Sequence, residues 1–255
     1  NQDVRFSRNF LRLDILPRLE ARQNGAASGL ARTGRLCAEA ADLLDDLADL
    51  DLAAMGAIEA RWFSHAAALR LTSARLRNVL RRALDGAGAL MPDEDRLMEA
   101  ERQMRLDSAA CGLRLVLGSH ALCVYRERWW VEPAGLPVPE APRVWGGEPR
   151  LAWAGGDVTF RPAVGQGIGA SMLRSARCEV RLRAGGERLR PRPGGPERSI
   201  KNLLQEAAIP PWRRRVLPLL WVDGHLAWVA GVGVDAAFHC PPGEPGMVPD
   251  WPVAT

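Results

Sequence analysis

Ser199-Ile200-Lys201-Asn202-Leu203-Leu204-Gln205-Glu206, then Ile209-Pro210-Pro211-Trp212-Arg213-Arg214-Arg215, then Leu217-Pro218-Leu219-Leu220-Trp221 join a short helix, a proline turn and an apolar strand in one block. Ser199 reads as a helix N-cap, with Asn202 where a capping-box acid would sit. The backbone N–H groups of the first turn then point outward beside Lys201, which predicts an anion-facing helix start. Pro210-Pro211 cannot continue the helix, because proline lacks the N–H and restricts the residue before it, so the chain turns at Ile209. Trp212 presents a flat ring next to three consecutive guanidiniums. Beyond it, Leu219-Leu220-Trp221-Val222 and Leu226-Ala227-Trp228-Val229-Ala230 flank Asp223-Gly224-His225, an Asp-Gly turn between apolar runs that predicts a β-hairpin. The hairpin supplies a core, and the loop and turn, together with Arg188-Leu189-Arg190-Pro191 upstream, carry the charge.

The chain of 255 residues is long enough for two domains, each with its own core. Its 47% hydrophobic and 25% charged residues are ordinary for a globular protein. No apolar run approaches the roughly 20 residues that a membrane span needs, so no membrane partner is expected. No secretory leader opens the chain, which begins with Asn1 rather than Met, so a fragment or cleaved product is expected. Of the 34 basic residues all but Lys201 are arginine, a bias that coding composition explains as readily as function. The net charge of +4 is unevenly spread: between Ala170 and Arg215, 12 basic residues stand against 4 glutamates, which leaves the remainder near −4. A basic patch of this kind favours a polyanion through counterion release, although a solvated arginine-rich surface would look the same. Cys37, Cys111, Cys123, Cys178 and Cys240 show no Cys-x-x-Cys spacing, which supports neither structural zinc nor a disulfide framework. Cys111, His120 and Cys123 could approach a metal, but buried free thiols on strands are the simpler reading, and the compartment is taken as reducing and cytoplasmic.

From the start, Phe6, Phe10, Leu13 and Leu16 recur near helical spacing, with Arg5, Arg8 and Arg12 on another stripe. Leu30 to Ala66 reads as one or two long helices, with Leu36, Ala40, Leu43, Leu44, Leu47, Leu50 and Leu52 on one side. The interleaved Asp42, Asp45, Asp46, Asp49 and Asp51 read as a solvated face. Leu69 to Leu84 forms a basic helix through Arg70, Arg75, Arg77, Arg81 and Arg82, and Asp93 to Leu106 forms another. Leu113–Leu117, Ala121–Tyr125 and Trp129–Val131 are paired strands, and Trp129, Trp130 and Trp145 are assigned to the core. Pro133 to Pro149 is read as a linker and the segment after Phe238 as a loose tail. Leu151–Trp153, Val158–Pro162 and Cys178–Arg183 are short strands. Gly165-Gln166-Gly167-Ile168-Gly169 is a turn, since it lacks the Lys-Ser/Thr of a phosphate loop. His65, His120, His225 and His239 occupy unrelated contexts and read as structural.

Two stretches resemble the tRNA(Ile)-lysidine synthase family. Near the end, Gly185-Gly186-Glu187-Arg188, Ser199, Ile200-Lys201-Asn202-Leu203-Leu204-Gln205-Glu206, Ile209-Pro210-Pro211-Trp212-Arg213-Arg214, Leu217-Pro218-Leu219 and Gly231-Val232-Gly233-Val234-Asp235 follow the pattern of its C-terminal domain in order. Asn202 stands where the family usually has lysine, and Leu204 where it has phenylalanine. At the start, Asn1, Asp3, Phe6, Arg8, Asn9, Arg12, Leu16 and Pro17 resemble the exit of the family's catalytic domain. The segment Leu76 to Val131 is compatible with its middle domain.

The resemblance implies an α+β chain: a mostly helical middle domain ending in a β-hairpin, then a small mixed, strand-rich C-terminal domain. Residues 1–22 would be the end of the catalytic domain and a connecting helix, 23–135 the helical tRNA-binding middle domain, and 136–255 the C-terminal tRNA-binding domain, with the linker at 133–150. It also implies an enzyme, a C–N ligase that uses ATP with magnesium to adenylate the wobble cytidine of tRNA(Ile) with a CAU anticodon and then joins L-lysine to it. The family's Ser-Gly-Gly-x-Asp-Ser ATP loop is absent from these residues, so ATP and magnesium are expected on a missing N-terminal domain, with no cofactor here. Arg188, Arg190, Ser199, Lys201, Gln205, Trp212, Arg213 and Arg214 are the tRNA-binding candidates, with phosphates on Arg190, Lys201, Arg213 and Arg214 and Trp212 packing or stacking. Arg8, Asn9 and Arg12 are candidates to reach the active site. A homodimer is left open. The competing expectation is a stand-alone, non-catalytic RNA-binding or protein-interaction module with the same fold.

Overall fold

The computed structural model describes residues 3, 5–56, 62–106, 112–135, 138, 141–154 and 156–252. Asn1, Cys111, Pro137 and Pro139 therefore lie outside the described residues, as does the 57–61 stretch of the expected helical region. The chain is α+β, helical first and strand-rich afterwards. Its first helices are α1 (Ser7–Phe10), a π-helical turn (Leu11–Ile15), α2 (Leu16–Arg22) and α3 (Ala26–Met55). Next come β1 (Phe63–Ser64), α4 (His65–Leu69), α5 (Ser73–Gly86) and α6 (Glu94–Arg105), the last capped by Asp93, whose carboxylate accepts from Arg96 N at 2.9 Å.

At about 1.5 Å per residue α3 is twice as long as α5, so α5 covers only its C-terminal part. There Ala48, Leu52 and Met55 are buried against Leu76, Val79 and Leu80. The expected apolar stripe does not close along the whole helix: Leu36, Leu43, Leu44 and Leu50 are each at least half exposed. The aspartates are not simply a solvated face either. Asp51 is buried and takes both a 3.0 Å and a shorter hydrogen bond from Arg75, while Asp49 accepts from Arg82 at 2.7 and 2.8 Å. Arg77 pairs with Glu101 at 2.8 Å, which leaves Arg70 and Arg81 as the exposed arginines of the expected basic helix that meet no carboxylate among the described residues. Sequence gives the periodicity of both helices, but the facing of acid to base needs their antiparallel contact.

β2 (Leu113–Leu117), β3 (His120–Tyr125) and β4 (Arg128–Pro133) pair as expected and join β1 in the order β1-β4-β3-β2. Trp129 and Trp130 are core residues of this sheet, and the His65 ring, buried, contacts Met104 O at 2.9 Å. The strand-rich part begins earlier than expected. Inside the predicted linker, β5 (Arg143–Trp145) hydrogen-bonds to the strand at Cys178–Arg181, with Trp145 ring-stacked on Phe160 at 4.3 Å. There follow β6 (Arg150–Leu151), β7 (Val158–Val164), β8 (Ile168–Gly169), α7 (Ala170–Leu173), β9 (Cys178–Arg181), β10 (Arg188–Leu189), β11 (Arg198–Ser199) and α8 (Ile200–Glu206). A 3-10 turn (Arg213–Arg215), β12 (Leu219–Val222), β13 (His225–Val229), β14 (Gly233–Val234) and β15 (Pro245–Asp250) complete the chain.

These strands form a five-stranded sheet, β14-β13-β12-β9-β5, a four-stranded sheet, β6-β7-β15-β8, and a two-stranded arm, β10-β11. The β12–β13 turn has positive φ at both Asp223 (47°) and Gly224 (80°), as a two-residue hairpin requires. The tail is a correction: β15 lies between β7 and β8, and Trp251 after it is 2% exposed, its indole N–H donating to Gly156 O at 3.0 Å. Pro249 is tolerated because β8 pairs only with Gly246 and Met247, so beyond them β15 has a partner on one side alone. The Gly165–Gly169 turn is closed, since a Cβ on Gly167 would lie 2.1 Å from Met247 O. Cys123, Cys178 and Cys240 are buried free thiols, but Cys37 is exposed on α3. Among the described residues no helix is long and apolar enough to cross a membrane.

Candidate nucleic-acid interface

α8 forms because Ser199, in extended conformation, accepts from Asn202 N at 3.4 Å and because Ile200, Leu203 and Leu204 share the buried face. Lys201, Asn202, Gln205 and Glu206 face outward. The helix is only two turns long and Ser199 already occupies Asn202 N, so side chains rather than the helix start supply its electrostatics; this corrects the expected anion-facing terminus. The chain leaves α8 through Ala208, at φ 58°, one residue before the expected turn at Ile209. Left-handed backbone is uncommon outside glycine, and nothing in the sequence of Ala207-Ala208 announces it.

The Pro-Pro-Trp-Arg segment turns inward. Trp212 is half-buried in a cage of Tyr125 (6.2 Å, edge-on) and Trp130 (6.1 Å), above Gly112, where a Cβ would sit 3.1 Å from the indole. Of its two expected roles, the ring packs. Arg213 is 5% exposed and donates to Glu132 at 2.8 Å; Glu132, 4% exposed, also accepts from Trp130 Nε1 at 3.0 Å and Arg114 Nε at 3.2 Å. Burial pushes the Glu132 carboxyl up, but the Trp130 N–H and the Arg213 and Arg114 charges outweigh it and hold the group below the usual carboxylate range. The same burial and the Glu132 charge push the Cys123 thiol up. Arg213 is thus a fastener between the helical and strand-rich parts, a correction to the expected phosphate contact. Arg214 is half-buried too, donating to Ile209 O at 2.8 Å and Tyr125 Oη at 3.2 Å.

The other candidates sort by whether a carboxylate is near. Arg188 donates to Glu197 at 3.1 Å, Arg177 and Arg181 flank Glu179, and Arg198 forks onto Glu206. Arg190 is fixed through its backbone, its N–H donating to Asp235 Oδ2 at 2.7 Å, with its side chain exposed. Arg190, Arg192, Lys201 and Arg215 are exposed and meet no carboxylate among the described residues. Gln205 is exposed, and its backbone carbonyl accepts from Arg126 Nη2 across the junction. Arg126 and Arg128 are missed by the sequence reading. They sit at the β3–β4 turn and, with Tyr125, Glu127, Trp130, Ala208 and Pro210, line a cleft of about 710 Å³ between the two parts. The Arg126-Glu127-Arg128 triplet between two predicted strands is the signal that could have found them. Arg8 and Arg12 are exposed on the first helices, far in sequence from this surface, and Asn9 Nδ2 donates to Asp3 O at 2.9 Å.

Comparison with known proteins points the same way. A model of the TilS substrate binding domain matches residues 63–130, and a model of the TilS substrate C-terminal domain matches 178–251. The chain is 44% identical over 253 residues to a tRNA(Ile)-lysidine synthase of Aromatoleum aromaticum, covering 98% of this chain and 58% of that protein. It is 44% identical over 255 residues to the Azoarcus sp. protein of the same name, covering 98% and 54%, and 37% identical over 254 residues to that of Nitrosomonas europaea, covering 98% and 55%. The chain therefore spans somewhat more than half the length of these relatives.

Proposed function

We propose, since the chain belongs to the tRNA(Ile)-lysidine synthase family, that residues 1–255 are the part of such a ligase that docks transfer RNA. The observation that carries this reading is the set of exposed cations that meet no carboxylate among the described residues, Arg174, Arg190, Arg192, Lys201 and Arg215, on a scaffold where Arg177, Arg181, Arg183, Arg188, Arg198 and Arg213 are paired with glutamates. Arg126 and Arg128 extend the set across the junction, Arg188 and Ser199 shape the arm and the helix start, and Gln205 offers an amide beside Lys201. Phosphates on these groups position the RNA without reading its sequence. The domain division stays part of the proposal: 1–22, 23–135 and 136–255.

Within the same reading the RNA is tRNA(Ile) with a CAU anticodon and the co-substrate is L-lysine. ATP with magnesium is bound by residues outside this span, and the protein works in the cytoplasm. The closed Gly165–Gly169 turn does not fit a nucleotide phosphate. Arg8, Asn9 and Arg12 remain candidates to reach an active site built elsewhere. A stand-alone module is disfavoured, because the likeness to a tRNA(Ile)-lysidine synthase extends over 98% of this chain. Filter binding of tRNA across a salt series tests the reading. Affinity should fall steeply with salt, by roughly 0.7–0.9 in log Kd per log salt for each phosphate contacted. Binding that is absent or insensitive to salt sinks it.

A further inference from the structure

A second cleft, of about 610 Å³, opens where α8 meets the β10–β11 arm, lined by Pro191, Arg192, Arg198, Leu203, Glu206 and Val232 among others. Its size falls in the range of roughly 300–1,000 Å³ common to small-ligand pockets. The floor is apolar: Leu203 is buried and Val232 half-buried. The rim is not uniformly basic. Arg192 stands free of carboxylates among the described residues, while Arg198 donates through Nη1 to Glu206 Oε2 at 2.9 Å and through Nη2 to Oε1. A carboxylate offers about four lone-pair sites, and Arg198 uses two. Glu206 can therefore still accept, and Arg198 can still donate.

A phosphate set on the Arg198–Glu206 pair is repelled by Glu206, whereas a flat base with an amine beside a ring acceptor matches that adjacent carboxylate and guanidinium. A base stacked in a duplex would first have to be extruded, so the occupant is an unpaired one. We propose that this cleft takes one unpaired, amine-bearing nucleobase of the bound RNA. The amine donates to Glu206, the ring acceptor receives from Arg198, and the flanking phosphate lies on Arg192. The proposal rests on the RNA-docking reading above and adds to it a point of base selection.

The test titrates the whole chain with labelled oligo(C), oligo(A) and oligo(N3-methyl-U) of about five nucleotides, by fluorescence anisotropy, and with tRNA in the same buffer. Oligo(C) and oligo(A) should bind about tenfold more tightly than oligo(N3-methyl-U), which has neither an exocyclic amine nor a ring N–H to give Glu206. In Glu206→Ala the three should converge to within about twofold, even though the lost negative charge tightens all of them. Glu206 is exposed, so folding is not at stake. Equal binding of the three by the unaltered chain, or discrimination that survives Glu206→Ala, overturns the cleft assignment. If tRNA binds while the oligonucleotides are not discriminated, only the cleft falls; if tRNA itself does not bind, the docking reading falls with it.

Discussion

Lys201 and Arg213 belong to one motif block, carry the same charge and end in opposite environments. Lys201 stands in solvent on α8, while Arg213 is sealed against Glu132, a residue from the other part of the chain. Both look like phosphate ligands when cations are merely counted. What separates them is whether the fold delivers a carboxylate within hydrogen-bond reach. The junction uses Arg213, Trp212 and Arg214 to hold the two parts together, and the charge left available lies on the arm, on α8 and at the β3–β4 turn.

The largest expected effect breaks this contrast from the buried side. Arg213→Ala leaves Glu132 in a dry site with only Arg114 and Trp130, and should cost about 3–5 kcal/mol in chemical denaturation. Replacing both partners, Glu132→Leu with Arg213→Met, should recover much of that loss; a double variant no better than the single would show that the pair is not the fastener. Next, Trp212→Ala empties the Tyr125–Trp130 cage and should cost about 3 kcal/mol, at the low end for a large aromatic because the ring is only half-buried. Its RNA affinity should fall only as far as its folded fraction does; a clear loss in fully folded protein would return the ring to the interface.

A third, smaller effect concerns pH. The folded-state carboxyl of Glu132 is held below its ordinary value of about 4.3, so its contribution is fully present above that pH and is lost as pH falls through the lower folded value. Unaltered protein should therefore lose stability more steeply than Glu132→Gln below about pH 4.3, measured as the shift of the thermal midpoint. The smallest stability effect lies on the exposed side. Lys201→Ala and Arg190→Ala should each change stability by less than about 0.5 kcal/mol, yet each should lower the salt slope of tRNA binding by about one. A slope unchanged by both substitutions would erase the distinction between the two regions.

Local chemistry made much of this protein legible. The Asp-Gly hairpin, the Ser199 cap, the β2–β4 strands and the core tryptophans all depend on contacts within a few residues or on alternation along one strand. The order of motifs was enough to place the chain in its family. What stayed hidden depends on partners far away in sequence. β15 hides behind prolines that only a one-sided strand tolerates, and the exposed leucines of α3 follow from the shorter length of α5. Asp49 and Asp51 become ion-pair partners only once α5 lies alongside.

By itself, the sequence determined the α+β order, the Asp223-Gly224 turn, the end of α8 to within a residue and the concentration of basic charge between Ala170 and Arg215. Tertiary structure alone decided which of those charges are free. Ionic interactions fall off over a few ångströms and strengthen on burial, so the fate of Arg213 was settled by Glu132, 81 residues away along the chain and 2.8 Å away in space.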